Sequence, residues 1–503
     1  MRNVGMCGIV CIFGDVDGVQ VYPERIKHRG PDDWREVSRP GVKMFFARLA
    51  IRSGEMQPFE EPNNELFMCN GEIYNHEKLG GKPEESDCRT LLNQIRKRGI
   101  VQGCRSVQQG EFAFVYYNGK SLSAGRDNIG VRPLFFATPK PGTIVFSSEL
   151  KPIMHYKCGV FPPGHFYNSQ TGVFARWREL TLSVPIFEHG YQKALQSHLI
   201  HAVVDRTDNS ERDVCFLLSG GLDSSLVCAI AYFHSKLTCI NMFTVGQEDS
   251  PDVVAAKQVV EYFKKCNEKE VTHTIIPFDF EEAERLVPLV IRGLESYDTT
   301  TIRASVPMWI LAQHISTKTK FRVLLSGEGS DELLAGYKYF KNAPSEDALH
   351  IEVVRRVHKL HEFDVLRADR CTASHGLELR VPFLDSRVVD TCLSIHPREK
   401  MEHIEKSCLR NLFQGYLPYE ILWRSKEAFS DAVGYDWVGF LRKKYSVYPM
   451  VHSDHNPPMS GEESYYRDLY WSIFGKHNED LISEIWRPKW TTETDPCARL
   501  ITT

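Results

Sequence analysis

The sequence predicts two domains of unlike architecture. An antiparallel, strand-rich α+β domain over residues 6–187 precedes an α/β domain over 188–503, whose doubly wound parallel sheet carries helices on both faces. Three observations lead there. Up to about residue 170 the apolar residues come in short alternating or β-branched runs separated by turn clusters. From about residue 188 such runs alternate with helical stretches. A chain of 503 residues also exceeds one core, since single cores stop growing near ~250–300 residues.

In the first part the strand candidates are, in order, "CGIVCIFG", "VKMFFARLAI", "ELFMCNGEI", "GEFAFVYYNG", "PLFFATP" and "GTIVFSS". The clusters "DVDG", "EPNN" and "YNGK" supply Asp, Asn, Pro and Gly for turns. One helix interrupts. In "DCRTLLNQIRKRG", Leu91, Leu92 and Ile95 share a face, and Gly99 is the expected stop.

The boundary falls near "LSVPIFEHG", a Pro-containing stretch between the two patterns. Beyond it "YQKALQSHLIHAVVDRT" is helical, "DVCFLLS" a buried strand and "SSLVCAIAYFHS" a helix. "INMFTVG" is a strand, "DVVAAKQVVEYFKKC" a helix and "FRVLLSG" a strand again. Neither an internal repeat nor a low-complexity segment appears.

Composition excludes several function classes. A net charge of −4 gives no basic field for nucleic acid or an anionic membrane. No apolar run approaches the ~18 residues a membrane span needs, and the N-terminal apolar run is strand-sized, so a cytoplasmic location is expected. The 14 cysteines show no C-x-x-C or other zinc spacing and read, Cys7 excepted, as small buried hydrophobes.

Two motifs carry chemistry. In "LLSGGLDSSL" a strand ends in Ser219, Gly220 and Gly221 and a helix opens with Ser224 and Ser225, so backbone N–H groups and a positive helix end face an anion. No Lys follows the glycines and no G-x-G-x-x-G is present. A serine-rich loop with an Asp suits pyrophosphate held with Mg²⁺, Asp223 offering a hard oxygen ligand. The run resembles the pyrophosphate loop of ATP enzymes that adenylate a substrate, as in asparagine, GMP and argininosuccinate synthesis, and gives the reaction class only. In "LLSGEGSDELLAGY" another strand ends in Ser326-Gly327 and presents Glu328, Asp331 and Glu332. These acids suit either metal and base roles at the carboxyl end of a parallel strand or the first turn of a capped helix.

Further motifs sharpen the resemblance. "TTIRASVPMW", "VPFLD" and "WRSKEAFSDAVGY", with "MCGIV", "HRGPDD", "ARLAI", "CNGEIYNH", "ESDC", "GEFAF", "FSSELKPI" and "PPGHFY", resemble glutamine-hydrolysing asparagine synthetases in order along the whole chain. The resemblance implies an N-terminal-nucleophile glutaminase sandwich joined to an ATP-dependent synthetase. It implies Cys7 as the nucleophile, Arg48 with Leu49, Ile51 and Glu72 binding glutamine, and Asp87 holding the glutamine α-amine. Asn70 and Gly71 correspond to an oxyanion hole. On the synthetase side it implies Leu217, Val271, Ser326 and Gly327 around adenosine and Ser219, Gly220, Gly221, Leu222, Asp223, Ser224 and Ser225 around pyrophosphate. Asp223 and Asp331 would hold Mg²⁺, Glu328 would serve the adenylate step and ammonia attack, and Lys426 would neutralise phosphate charge. Glu332 and Arg367 are the aspartate-binding candidates. The substrates implied are glutamine, aspartate and ATP, and the family expectation is a homodimer.

The sequence departs from this pattern in "EKLGGKPEESDC", which is short between the oxyanion strip and Asp87. It departs again in the residues before Met6. The glutaminase cysteine of such enzymes uses its own α-amino group as base, so the active chain is expected to begin at Cys7. Relatives that adenylate another carboxylate, and a non-enzymatic relic, are the rival readings. Against both stand the retained Cys7, Arg48, Asn70 and Asp87.

Overall fold

The structure, a computed structural model, describes residues 7–52, 54–180, 190–402, 404–425 and 436–492. The chain divides into two compact units, one of Met1–Leu180, Asp369–Glu378 and Tyr470–Ser483, the other of Thr181–Ala368, Leu379–Leu469 and Glu484–Thr503. A single cut at 187/188 therefore misses two later segments that fold with the first unit. One is tied in by Asn478, whose side chain donates to Met154 O at 2.8 Å and accepts from Cys158 N at 3.0 Å. Such polar ties leave no apolar period to read. The boundary stretch "LSVPIFEHG" lies almost wholly outside the described residues.

The first unit holds two six-stranded antiparallel sheets. One contains β1 (Gly8–Phe13), β2 (Asp33–Arg39), β3 (Val42–Arg48), β8 (Phe135–Lys140), β9 (Thr143–Ser147) and β10 (Cys158–Val160), ordered β10-β8-β9-β1-β3-β2. The other contains β4 (Phe59–Glu61), β5 (Glu65–Ile73), β6 (Gly110–Tyr117), β7 (Leu122–Arg126), β11 (His165–Asn168) and β12 (Val173–Arg176), ordered β12-β11-β7-β6-β5-β4.

Side chains alternate faces along a strand, and β5 uses both. Leu66 and Met68 join Ile9, Cys11, Met44 and Phe46 between the sheets, whereas Phe67 and Cys69 join Leu91, Leu92 and Ile95 of helix α1 (Asp87–Ser106). The second sheet is therefore buried on both sides, between the first sheet and α1. Gly99 breaks α1 rather than ending it. It takes φ 76° and ψ 166°, after which the helix resumes to Ser106. Gly103 then packs on the earlier turn, where a Cβ would lie 2.8 Å from Ile95 Cα.

In the second unit, β13 (Val214–Leu217), β14 (Cys239–Val245), β15 (Glu270–Ile276), β16 (Val323–Leu325) and β17 (Glu378–Arg380) form a sheet ordered β15-β14-β13-β16-β17. Among these, β13 pairs in parallel with both β14 and β16, and β14 with β15. Helices α2 (Gln192–Asp208), α3 (Leu222–His234) and α4 (Pro251–Cys266) stand where the 3.6-residue period places them. The first strands run outward from β13 to β15, and the chain then returns to add β16 on the other side. That reversal between β13 and β16 is the switch point at which open α/β sheets bind ligands. Among the described residues no helix is long and apolar enough to cross a membrane.

Candidate functional site

The first unit brings its candidates together at the head of β1 and β3. Cys7 directly precedes β1, and its Sγ accepts from Leu49 N at 3.5 Å and approaches Leu49 O at 3.8 Å. Arg29 is fully buried; its Nε donates to Cys7 O at 3.2 Å while Nη1 bonds Glu149 and Asp369 at 2.8 and 2.9 Å. That charged cluster fixes the backbone of Cys7. Burial pushes the Cys7 thiol up to about 12. In this setting the sulfur stays protonated at neutrality unless a base takes its proton.

Arg48 ends β3; its Nη2 donates to Arg52 O at 3.2 Å and Gly54 O at 3.1 Å, and Nη1 lies 3.7 Å from Asp33. Ile51 and Leu49 are buried beside it. On β5, Asn70 and Glu72 continue the face of Leu66 and Met68, which points to the inter-sheet core that Cys7 also touches. Asn70 Nδ2 is buried and has no hydrogen-bond partner among the described residues. A buried donor left unmade is costly, by ~1–3 kcal/mol. Gly71 lies against β6 so closely that a Cβ would sit 2.2 Å from Glu111 O. Asp87 opens α1 and accepts from Ile73 N at 2.5 Å, and burial raises its carboxyl above the usual range. A cation placed against it would be strongly held.

At the switch point of the second unit the two loops touch. A Cβ on Gly327 would lie 2.8 Å from both Asp223 Cβ and Ser224 N. Gly220 takes φ 74°, and a Cβ there would meet Ala256 N at 2.6 Å, so the loop folds tightly over α4. Ser219 Oγ and Ser224 Oγ lie 2.9 Å apart, and Gly221 N donates to Ser219 Oγ at 3.2 Å. Ser225 Oγ is buried without a partner in the described residues. Leu217 closes β13 and Leu222 opens α3, so the strip from Leu217 to Ser225 spans the strand end, the loop and the first turn of the helix.

The acids of the second loop are sorted by their partners. Ser330 Oγ donates to Asp223 Oδ1 at 2.8 Å, and Lys406 Nζ lies 2.6 Å from both Asp223 Oδ2 and Asp331 Oδ1. Glu328 pairs with Arg367 Nη2 at 2.8 Å, and its N–H donates to Ser326 Oγ at 3.3 Å. The same Arg367 nitrogen bonds Asp364 at 2.8 Å. Glu332 is buried and accepts from Tyr337 OH at 2.5 Å; burial, with Asp364 and Asp331 nearby, holds its carboxyl well above the carboxylate range. The candidate base and one aspartate-binding candidate thus form an ion pair, and the other candidate, Glu332, turns inward.

Asp223 and Asp331 offer the hard oxygen atoms that a divalent cation such as Mg²⁺ takes, and Lys406 Nζ lies at the point they share. Among the described residues no group of three or more His, Cys, Asp or Glu could hold a metal. Val271 does not join the others. It is the second residue of β15, level with Ile240, at the end of the sheet away from the loops. Lys426 lies outside the described residues, as do residues 1–6. Sequence reasoning gives Arg29 and Lys406 no role. Arg29 stands within "HRGPDD", whereas Lys406 is a lone Lys before a short helix and offers no sequence signal.

Comparisons with known proteins bear on both units. Residues 6–162 match the Glutamine amidotransferase domain family, and residues 194–348 and 341–494 match the Asparagine synthase family. A probable glutamine-hydrolyzing asparagine synthetase of Dictyostelium discoideum is 36% identical over 564 residues, covering 98% of each chain. Another from Acanthamoeba polyphaga mimivirus is 36% identical, covering 99% of this chain and all (100%) of that one. The glutamine-hydrolyzing asparagine synthetase of Asparagus officinalis is 34% identical, covering 98% of this chain and 92% of its own.

Proposed function

The chain belongs to the family of glutamine-hydrolysing asparagine synthetases, and we propose from that premise how its residues divide the work. Cys7 attacks the glutamine side-chain amide and forms a thioester, with Asn70 and the Gly71 N–H receiving the oxyanion and ammonia leaving. Arg48 grips the glutamine carboxylate and Asp87 its α-amine, with Leu49, Ile51 and Glu72 completing the wall. The base is the α-amino group of Cys7, since a free amine with pKa of ~7.7–8.0 takes a proton near neutrality and a peptide nitrogen cannot. Residues 1–6 are then absent from the active enzyme.

In the second unit the β-carboxylate of aspartate attacks the α-phosphorus of ATP, giving β-aspartyl-AMP and pyrophosphate. Ammonia then displaces AMP and yields asparagine. The loop from Ser219 to Ser225 cradles pyrophosphate, and Leu217, Ser326 and Gly327 lie against the adenosine. Val245, at the carboxyl end of β14, suits that role better than Val271. Asp223 and Asp331 would hold Mg²⁺, which supplies charge neutralisation on the phosphates. Glu328 accepts the proton from attacking ammonia, and Arg367, once released from it, pairs with the aspartate carboxylate. Water must be kept from the adenylate, a reason to deliver ammonia within one chain.

The observation that supports the synthetase half most directly is the contact of the two loops at the switch point, with Gly327 against Asp223. The test follows oxygen atoms. With aspartate labelled in its β-carboxylate by oxygen-18, one labelled atom is expected in AMP and none in pyrophosphate. Label in pyrophosphate, or in neither product, would overturn the adenylate route. Mass analysis of the same active preparation should find Cys7 as the first residue.

A further inference from the structure

The amine of Lys406 is the least expected group in the second unit. Its side chain is 2% exposed, and its Nζ lies 2.6 Å from Asp223 Oδ2 and 2.6 Å from Asp331 Oδ1. Two carboxylates drawn this close, and largely out of water, repel unless a cation lies between them. The chain therefore carries its own cation at the point the proposed reading gives to Mg²⁺.

The surroundings are shaped to hold it there. Lys406 adopts the left-handed conformation, φ 57° and ψ 27°, which a side-chain-bearing residue takes only when its context demands it. Gly336 forms the wall: a Cβ at that position would sit 2.1 Å from Lys406 Cε and 2.2 Å from Asp331 Oδ1. The neighbouring acid does not compete, because Glu405 is held by Arg410 at 2.8 Å. The third polar contact, Ser330 Oγ to Asp223 Oδ1 at 2.8 Å, takes the carboxylate oxygen that the amine leaves open. The hydroxyl and the amine thus both contact the carboxylates, Ser330 at Asp223 Oδ1 and Lys406 at Asp223 Oδ2 and Asp331 Oδ1.

We propose that Lys406 stands in for the divalent cation between Asp223 and Asp331 until nucleotide binds. The resident ammonium keeps Asp223 and Asp331 together and bars a metal from binding alone. It gives up the position when the polyphosphate of ATP arrives with its own negative charge, so metal loading depends on nucleotide. The inference rests on reading Asp223 and Asp331 as the metal carboxylates.

Mn²⁺ is the probe, its free form counted by electron paramagnetic resonance against the full-length chain. Without nucleotide the wild type should retain little Mn²⁺. A non-hydrolysable ATP analogue should raise its affinity at least about tenfold, within the ~5–150-fold range of ordinary ligand coupling. Lys406→Met should bind Mn²⁺ without nucleotide, melt below the wild type, and recover when Mn²⁺ is added. Adding Asp331→Asn to that variant should restore the melting temperature and abolish the metal binding. The proposal fails if the wild type binds Mn²⁺ equally with and without the analogue. It fails equally if folded Lys406→Met binds none. Should Lys406→Met not fold, Lys406→Gln takes its place in the same two measurements. Asp331→Asn by itself separates the two ideas. If it still retains Mn²⁺ with the analogue, the reading of the metal carboxylates falls, whatever Lys406 does.

Discussion

The two units prepare for charge in opposite ways. At the sandwich, the key polar group is left without a partner: Asn70 Nδ2 is buried and unbonded among the described residues, and the nearby thiol is kept neutral by burial. At the parallel sheet, the key groups are paired in advance, Asp223 and Asp331 through Lys406 and Glu328 through Arg367. The difference follows from the ligands. A tetrahedral oxyanion is a transient charge of one unit, best met by an empty, preorganised donor. A polyphosphate is a permanent multiple charge, and carboxylates meant to hold its metal would repel each other while waiting. One site holds an unmade hydrogen bond among the described residues; the other holds ion pairs that, on the proposed reading, the substrate exchanges.

The largest expected effect separates the units completely. Glu328→Gln should lower asparagine formation by ~10²–10⁴-fold with either glutamine or ammonia, while glutamine hydrolysis continues. Near-normal synthesis by this variant would remove Glu328 from the chemistry and leave its ion pair with Arg367 a structural one. Next in size, Asn70→Ala should cut glutamine hydrolysis by ~10²–10³-fold and leave ammonia-dependent synthesis intact. A rise in stability alongside the loss would sharpen the contrast, since an unbonded buried donor has been removed; unchanged hydrolysis would sink the oxyanion role. The smallest effect belongs to Arg48→Ala. Loss of a charged clamp is worth ~1.5–3 kcal/mol, or roughly 10–150-fold at 1.4 kcal/mol per decade, and should appear mainly in KM for glutamine. If ammonia-dependent synthesis fell as far, the bonds from Arg48 to Arg52 O and Gly54 O would be its real purpose.

Much of this architecture is legible in the residues alone. The strong periodic segments, β1, β3, β5 and β6 in one unit and β13, β14, α3 and α4 in the other, stand where their patterns put them. Weaker elements are not legible. β15 is an edge strand, and "EVTHTII" mixes polar residues on a half-exposed surface, so no apolar run announces it. That gap also explains the misplacing of Val271: without its strand, nothing tells which end of the sheet it occupies. Gly99 reads as a stop because a left-handed glycine ends helices. The re-entry of residues 100–106 into the helix depends on Gly103 meeting Ile95, a contact no local pattern signals. Lys406 and Asp369 are invisible for a deeper reason. Their meaning lies in partners distant in sequence, Asp223 and Asp331 for one and Arg29 for the other, and a lone charged residue carries no period.

The double burial of the second sheet sets how the first site comes apart. Amides of β5 and β6, covered by the first sheet on one face and by α1 on the other, can reach solvent only through the widest openings of the unit. Hydrogen exchange there should follow global unfolding, whereas the tips of β4 and β12 open by local fraying. Asn70 and Gly71 sit on that slowest strand. On the proposed reading the oxyanion geometry is thus carried by the part of the unit that opens last, so heat or denaturant should abolish glutamine hydrolysis only when that unit unfolds.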